Sequence, residues 1–84
     1  MTIDESRATV LALLGDIAPD ADLAHLDPDR DLRRAIDLDS LDFQTLVEQV
    51  AAATGVEIPE ADYPQVRSLS GMAAYLAAHP GAQA

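Results

Sequence analysis

Three stretches of this chain carry apolar residues at helical spacing, and each is bracketed by residues that start and stop helices. In the first, Ile3, Arg7, Val10, Leu11, Leu14 and Ile17 follow one stripe, with Leu13 flanking it. Thr2 and Glu5 have capping-box spacing, and Pro19 ends the helix at or before Ala18. The pattern predicts a helix over 3–17, with Gly15 as its weak point. In the second, Phe43, Leu46, Val47, Val50 and Thr54 fall on one face. Asp39 stands as N-cap and Gly55 as the C-terminal stop, which predicts a helix over 40–54. In the third, Ser68 caps Leu69, Met72, Ala73 and Leu76, and the helix ends near Ala78, before His79-Pro80-Gly81. No segment alternates with a strand period and no repeat is visible. The expected fold is all-α: a bundle of three longer helices and one short one, with a long first loop.

The connections differ in character. Asp20 to Leu38 is rich in Asp, yet Leu23, Leu26, Leu32, Ile36 and Leu38 recur through it. A polar loop that long is unusual in a small domain, and the leucines predict that it is pinned to the core, with a helical turn at Asp31–Ala35. Val56, Ile58 and Pro59 form an apolar connector, and Glu60–Val66 accommodates one short helical turn. Residues 1–79 are expected to form the domain and 80–84 to fray.

Size and charge exclude much else. A chain of 84 residues is one small domain, burying roughly 60% of its unfolded surface. Sixteen of its apolar residues are Ala, which favours helix and buries little. Its formal charge is −10, and all five basic residues are Arg. Such a chain is repelled by nucleic acid and by anionic membrane surfaces. The absence of Cys removes disulfides, zinc fingers and thiol catalysis; the absence of Lys removes Schiff-base chemistry. The longest apolar run, Met72–Ala78, is far short of a membrane span. No signal-peptide pattern opens the sequence, and a monomeric cytoplasmic protein without membrane insertion is expected.

The informative segment is Asp37-Leu38-Asp39-Ser40-Leu41-Asp42-Phe43. Asp39-Ser40-Leu41 resembles the Asp-Ser-Leu motif of the acyl carrier protein family, at the start of that family's second helix. Gly55-Val56-Glu57-Ile58-Pro59-Glu60 is similar to the family's link after that helix, and Ser68-Leu69-Ser70-Gly71-Met72 to the start of its last one. The resemblance covers about residues 3–79. It implies a covalent 4′-phosphopantetheine arm on Ser40, taken from coenzyme A, with Asp39 and Leu41 as flanking recognition residues. It implies that acyl groups ride on the arm's thiol, so the polypeptide needs no Cys and no catalytic residue. The implied partners are a phosphopantetheinyl transferase and acyl-loading, elongating or acyl-transferring enzymes. Asp37, Asp42 and Glu48 would meet their basic surfaces, and Phe43, Leu46, Val50 and Met72 would line an acyl cavity.

Two departures from the family pattern point to a specialised member rather than one serving housekeeping fatty-acid synthesis. Asp37 occupies a place where Gly is frequent. The exposed side of the 40–54 helix carries one acid after Asp42, Glu48, and eight of the fifteen acids lie between Asp20 and Asp42. An aminoacyl, D-alanyl or peptidyl carrier and an unmodified helical interaction module are the alternatives. Other features have plainer readings. Counting from Asp27, a calcium loop would need Gly and Glu where Leu32 and Leu38 stand. His25 and His79 lack ligand spacing, and no metal site is expected. Arg33 and Arg34 are expected to offset the neighbouring Asp residues in a solvated network.

Overall fold

In the computed structural model, residues 2–79 are described. Ile3–Ile17 (α1), Leu32–Ala35 (α2), Ser40–Thr54 (α3) and Leu69–Ala78 (α4) are α-helical, and Glu60–Val66 forms a 3₁₀ segment. No strand occurs among the described residues. The fold is thus the expected all-helical bundle, with α2 as a further single turn inside the first loop. The expected fraying of 80–84 lies outside the described residues.

The helix boundaries follow from local chemistry. Glu5 N–H donates to Thr2 Oγ1 at 3.1 Å and Thr2 N–H to Glu5 Oε1 at 3.0 Å, a reciprocal capping box. The bond from Thr2 N–H, and then the Thr2 side chain, favour the ionised Glu5 carboxylate and hold its pKa below the ordinary value. At α3, Asp39 accepts from Asp42 N–H at 2.8 Å. At the other end Gly55 adopts φ 76, ψ 5, left-handed backbone that suits glycine, and its N–H donates to Ala51 O at 2.8 Å. Ser68 Oγ caps α4 by accepting from Gly71 N–H at 3.0 Å.

The core is built where α1 packs on α4 and α3, and α4 on the 3₁₀ segment. Val10, Leu14, Leu46, Val50, Val66 and Met72 are completely buried, each contributing roughly 1.5–3 kcal/mol of apolar burial. The first loop is pinned as its leucines predict. Leu32 and Leu38 are buried, and Leu23, Leu26 and Ile36 pack partly buried against the core. Two backbone bonds fasten the loop to the far end of the chain: Leu32 N–H to Arg67 O at 2.7 Å and Ser70 N–H to Pro28 O at 2.8 Å. The predicted stripe of α1 needs one correction. Ile3 is 46% exposed and Arg7 is exposed, whereas Ser6 is fully buried. The helix is covered only from Ser6 onward, and the Ser6 hydroxyl donates to Thr2 O at 2.9 Å, so its burial leaves no polar group unpaired.

One long-range side-chain bond joins α4 to the 3₁₀ segment: Tyr75 Oη–H donates to Asp62 Oδ2 at 2.7 Å. That bond, and then burial, hold the Tyr75 pKa above its ordinary value near 10. The folded state therefore favours the protonated phenol. Its contribution is complete below pH 10 and is lost as pH rises through the folded-state pKa. Tyr75→Phe should cost about 1–2 kcal/mol in urea unfolding at pH 7. The gap between variant and wild type should narrow above pH 10; a gap constant with pH would remove Asp62 from the account.

Candidate functional site

The start of α3 is set by three consecutive backbone requirements. Asp37 takes φ 56, the single positive φ at a non-glycine among the described residues. Leu38 then turns inward and is 4% exposed. Asp39 returns to extended backbone (φ −86, ψ 179), its side chain capping Asp42 N–H and its carbonyl accepting from Phe43 N–H at 3.0 Å. The frequency of Gly at the position of Asp37 in the resembled family acquires a physical reason here, since L-residues are strained in left-handed backbone and Asp less so than most. Asp37→Gly should leave stability unchanged or raise it by up to about 1 kcal/mol, whereas Asp37→Val should lower it by about 1–2 kcal/mol. Thermal unfolding of the two variants checks this, and equal losses in both would remove the strain argument.

Ser40 is the first helical residue and is exposed. No described hydrogen bond engages its hydroxyl. The N–H groups of Ser40 and Leu41 have no acceptor within the helix by position. Leu41, beside it, is 72% exposed, one of two large apolar residues so placed among those described. Glu48 is exposed two turns further along α3.

The two flanks of Ser40 differ in charge. On one, a groove of about 530 Å³ is lined by Asp20, Asp22, Asp37 and Asp42 together with Ile17 and Ile36. On the other, Ser40 itself lines a cleft of about 260 Å³ with Arg33, Phe43, Gln44, Glu60 and Tyr63. Arg33, Phe43 and Tyr63 also line an adjoining cleft of about 560 Å³, with Asp31, Arg34, Leu38 and Arg67. Phe43 and Tyr63 meet edge to face, with ring centroids 5.5 Å apart. Of the four residues expected around an acyl cavity, Phe43 lines these clefts, while Leu46, Val50 and Met72 are fully buried in the core.

The expected ion network of Arg33 and Arg34 is not formed. Among the described residues the one ion-pair contact is between His25 Nδ1 and Asp22 Oδ2, at 2.8 Å and exposed. The acids near the arginines are engaged with backbone instead: Asp31 Oδ1 accepts from Arg33 N–H at 2.9 Å, and Asp27 Oδ1 from Asp29 N–H at 3.0 Å. His79 is exposed and stacks on Tyr75 at 4.0 Å. No group of three or more metal-capable side chains occurs among the described residues. Tyr63, Gln44, Glu60 and Arg67 were not singled out by sequence patterns. Gln44 lies on α3, while Glu60, Tyr63 and Arg67 come from the 3₁₀ segment and its C-terminal cap, linked to α3 by the contact of Tyr63 with Phe43; only the apolar character of Tyr63 hints at this.

A phosphopantetheine group fits this setting. An exposed primary hydroxyl stands at the positive end of a 15-residue helix, with two backbone N–H groups free to face an attached anion. A family model described as the phosphopantetheine attachment site matches residues 8–76. No match to a curated protein accompanies it. No described helix is long and apolar enough to cross a membrane. Carrier domains of this kind are non-catalytic and interact with a phosphopantetheinyl transferase and with partner enzymes. The matched segment runs from α1 to α4 and encloses the whole Ser40 region, and the chain therefore belongs to the phosphopantetheine-attachment family: it is a carrier domain for a covalently bound 4′-phosphopantetheine.

Proposed function

We propose that Ser40 is the attachment residue and that the cargo is an acyl group, held as a thioester and presented to enzymes of fatty-acid, polyketide or related specialised biosynthesis. The observation that carries this reading is the exposed, unengaged Ser40 at the first position of α3, inside the matched segment. In the modification, the Ser40 Oγ–P bond forms while the phosphoanhydride bond of coenzyme A breaks and the adenosine bisphosphate leaves. The transferase supplies the base for the hydroxyl proton. The arm contributes the thiol on which the thioester is built.

The chain's own residues position and recognise. Asp39 fixes the helix start, and Leu41 offers an apolar contact beside the attachment point. Asp37 and Asp42, gathered with Asp20 and Asp22 on one groove, and Glu48 along α3, attract basic partner surfaces through charge steering. The strong acidity favours an acyl carrier over a peptidyl one. The working unit in this reading is residues 1–79, acting as a cytoplasmic monomer without nucleic-acid or membrane partners.

Incubation with a broad-specificity phosphopantetheinyl transferase and coenzyme A should add one phosphopantetheinyl unit to the intact mass. No gain with several transferases would sink the assignment. For the cargo, hydroxylamine treatment of protein isolated from native cells should release an acyl hydroxamate. Release of an amino-acid hydroxamate would overturn the acyl part alone.

A further inference from the structure

We propose that the cleft between α2 and the end of the 3₁₀ segment receives a carboxylate carried at the far end of the tethered acyl group. The proposal rests on Ser40 being the attachment residue and adds the chemical class of the cargo.

Charge is the first argument. The chain has five basic residues against fifteen acids, yet three of the five, Arg33, Arg34 and Arg67, line this one cleft. The single acid among its lining residues, Asp31, directs its carboxylate to the N–H of Arg33 as the cap of α2. None of the three guanidiniums pairs with a carboxylate among the described residues, although acids crowd the preceding loop. A guanidinium binds a carboxylate through two parallel N–H···O bonds, and three such groups on one cleft favour an anionic occupant.

The walls are held by backbone rather than by the arginines themselves. Leu32 N–H donates to Arg67 O at 2.7 Å, tying α2 to the end of the 3₁₀ segment. Leu32, preceding Arg33 and Arg34, and Val66, preceding Arg67, are both fully buried. Each arginine thus extends from an anchored residue.

Access and shape supply the rest. The cleft shares Arg33, Phe43 and Tyr63 with the smaller one that Ser40 lines, so an arm leaving Ser40 reaches it along a common wall. Leu38 and the Phe43–Tyr63 pair give an apolar surface for a methylene chain. About 560 Å³ suits a small-molecule site, typically about 300–1,000 Å³. A plain alkyl cargo would use that apolar surface and leave all three guanidiniums without a partner.

The test compares three forms made with a phosphopantetheinyl transferase: the unloaded arm from coenzyme A, hexanoyl from hexanoyl-coenzyme A, and adipoyl from adipoyl-coenzyme A. Intact mass first establishes loading, and side-chain Nε–Hε resonances of Arg33, Arg34 and Arg67 are then followed by NMR. The adipoyl form alone should shift these resonances. The shift should shrink as salt is raised and be lost in Arg67→Gln. That variant keeps the carbonyl that accepts from Leu32, so its melting temperature should match wild type. Shifts already present with the unloaded arm would assign the cleft to the arm's phosphodiester and overturn the proposal. Identical spectra for hexanoyl and adipoyl forms would overturn it too, leaving the Ser40 reading intact. Failure of loading itself would sink the Ser40 reading and this one with it.

Discussion

Replacing Ser40 by Ala is expected to abolish the mass gain on treatment with a phosphopantetheinyl transferase and coenzyme A, while leaving the fold unchanged. The loss should be complete rather than partial. Ser40 is the one serine exposed among the described residues: Ser6 is buried, and Ser68 and Ser70 are half-buried at the start of α4, with Ser68 Oγ engaged as a cap. Stability should move by no more than about 0.5 kcal/mol, because an exposed hydroxyl without a partner contributes little. Asp39→Ala separates attachment from structure in the opposite sense. It removes the cap on Asp42 N–H and should cost about 1 kcal/mol, yet it retains the nucleophile, so modification should persist at a reduced rate. Intact mass and thermal unfolding of both variants provide the readout. Residual modification of the Ser40→Ala protein would move the attachment site elsewhere.

Gly71→Ala and Gly15→Ala should change stability in opposite directions, although both glycines lie inside helices where Ala is the better residue by about 1 kcal/mol. A Cβ at Gly15 would have Leu23 Cδ1 as its nearest neighbour at 3.9 Å, an ordinary contact. Gly15→Ala should therefore gain about 1 kcal/mol, raising the melting temperature by roughly 4–8 °C for a domain this size. A Cβ at Gly71 would lie 2.4 Å from Gln65 O and 3.1 Å from Ser68 Oγ. The first is backbone and cannot swing aside, and the second belongs to the α4 cap. Relief requires α4 and the 3₁₀ segment to separate, straining a junction that the bond from Tyr75 to Asp62 also fastens. Overpacking of this kind costs about 1–3 kcal/mol, which should outweigh the helix-propensity gain and lower the melting temperature. Stabilisation by Gly71→Ala would show that the two segments are less tightly apposed than these distances require.

How much of the molecule was legible in advance depended on the range of the interaction concerned. Thr2, Asp39 and Ser68 act on N–H groups three residues away, and Gly55 on a carbonyl four residues back. The helix boundaries were readable for that reason, as was Ser40 at a helix start. The burial of Leu32 and Leu38 was legible because no polar loop carries so many spaced leucines without a core to cover them. Ile3 departs from its stripe because periodicity reports which side of a helix is apolar and not how far the partner helices extend along it.

The amino-acid sequence by itself determined the three long helices, their N-terminal caps and the Asp39-Ser40-Leu41 motif, since each is encoded within a turn or two of chain, and its resemblance to a known family implied a carrier whose thiol is not its own. Tertiary structure alone decided that Arg67 joins Arg33 and Arg34 on one cleft, that Asp37 and Asp42 share a groove with Asp20 and Asp22, and that Gly71 tolerates no side chain while Gly15 does. The physical reason is reach. The arginines meet because a backbone bond joins Leu32 to Arg67 across thirty-five positions of chain, and no local pattern of residues encodes which distant segments will pack together.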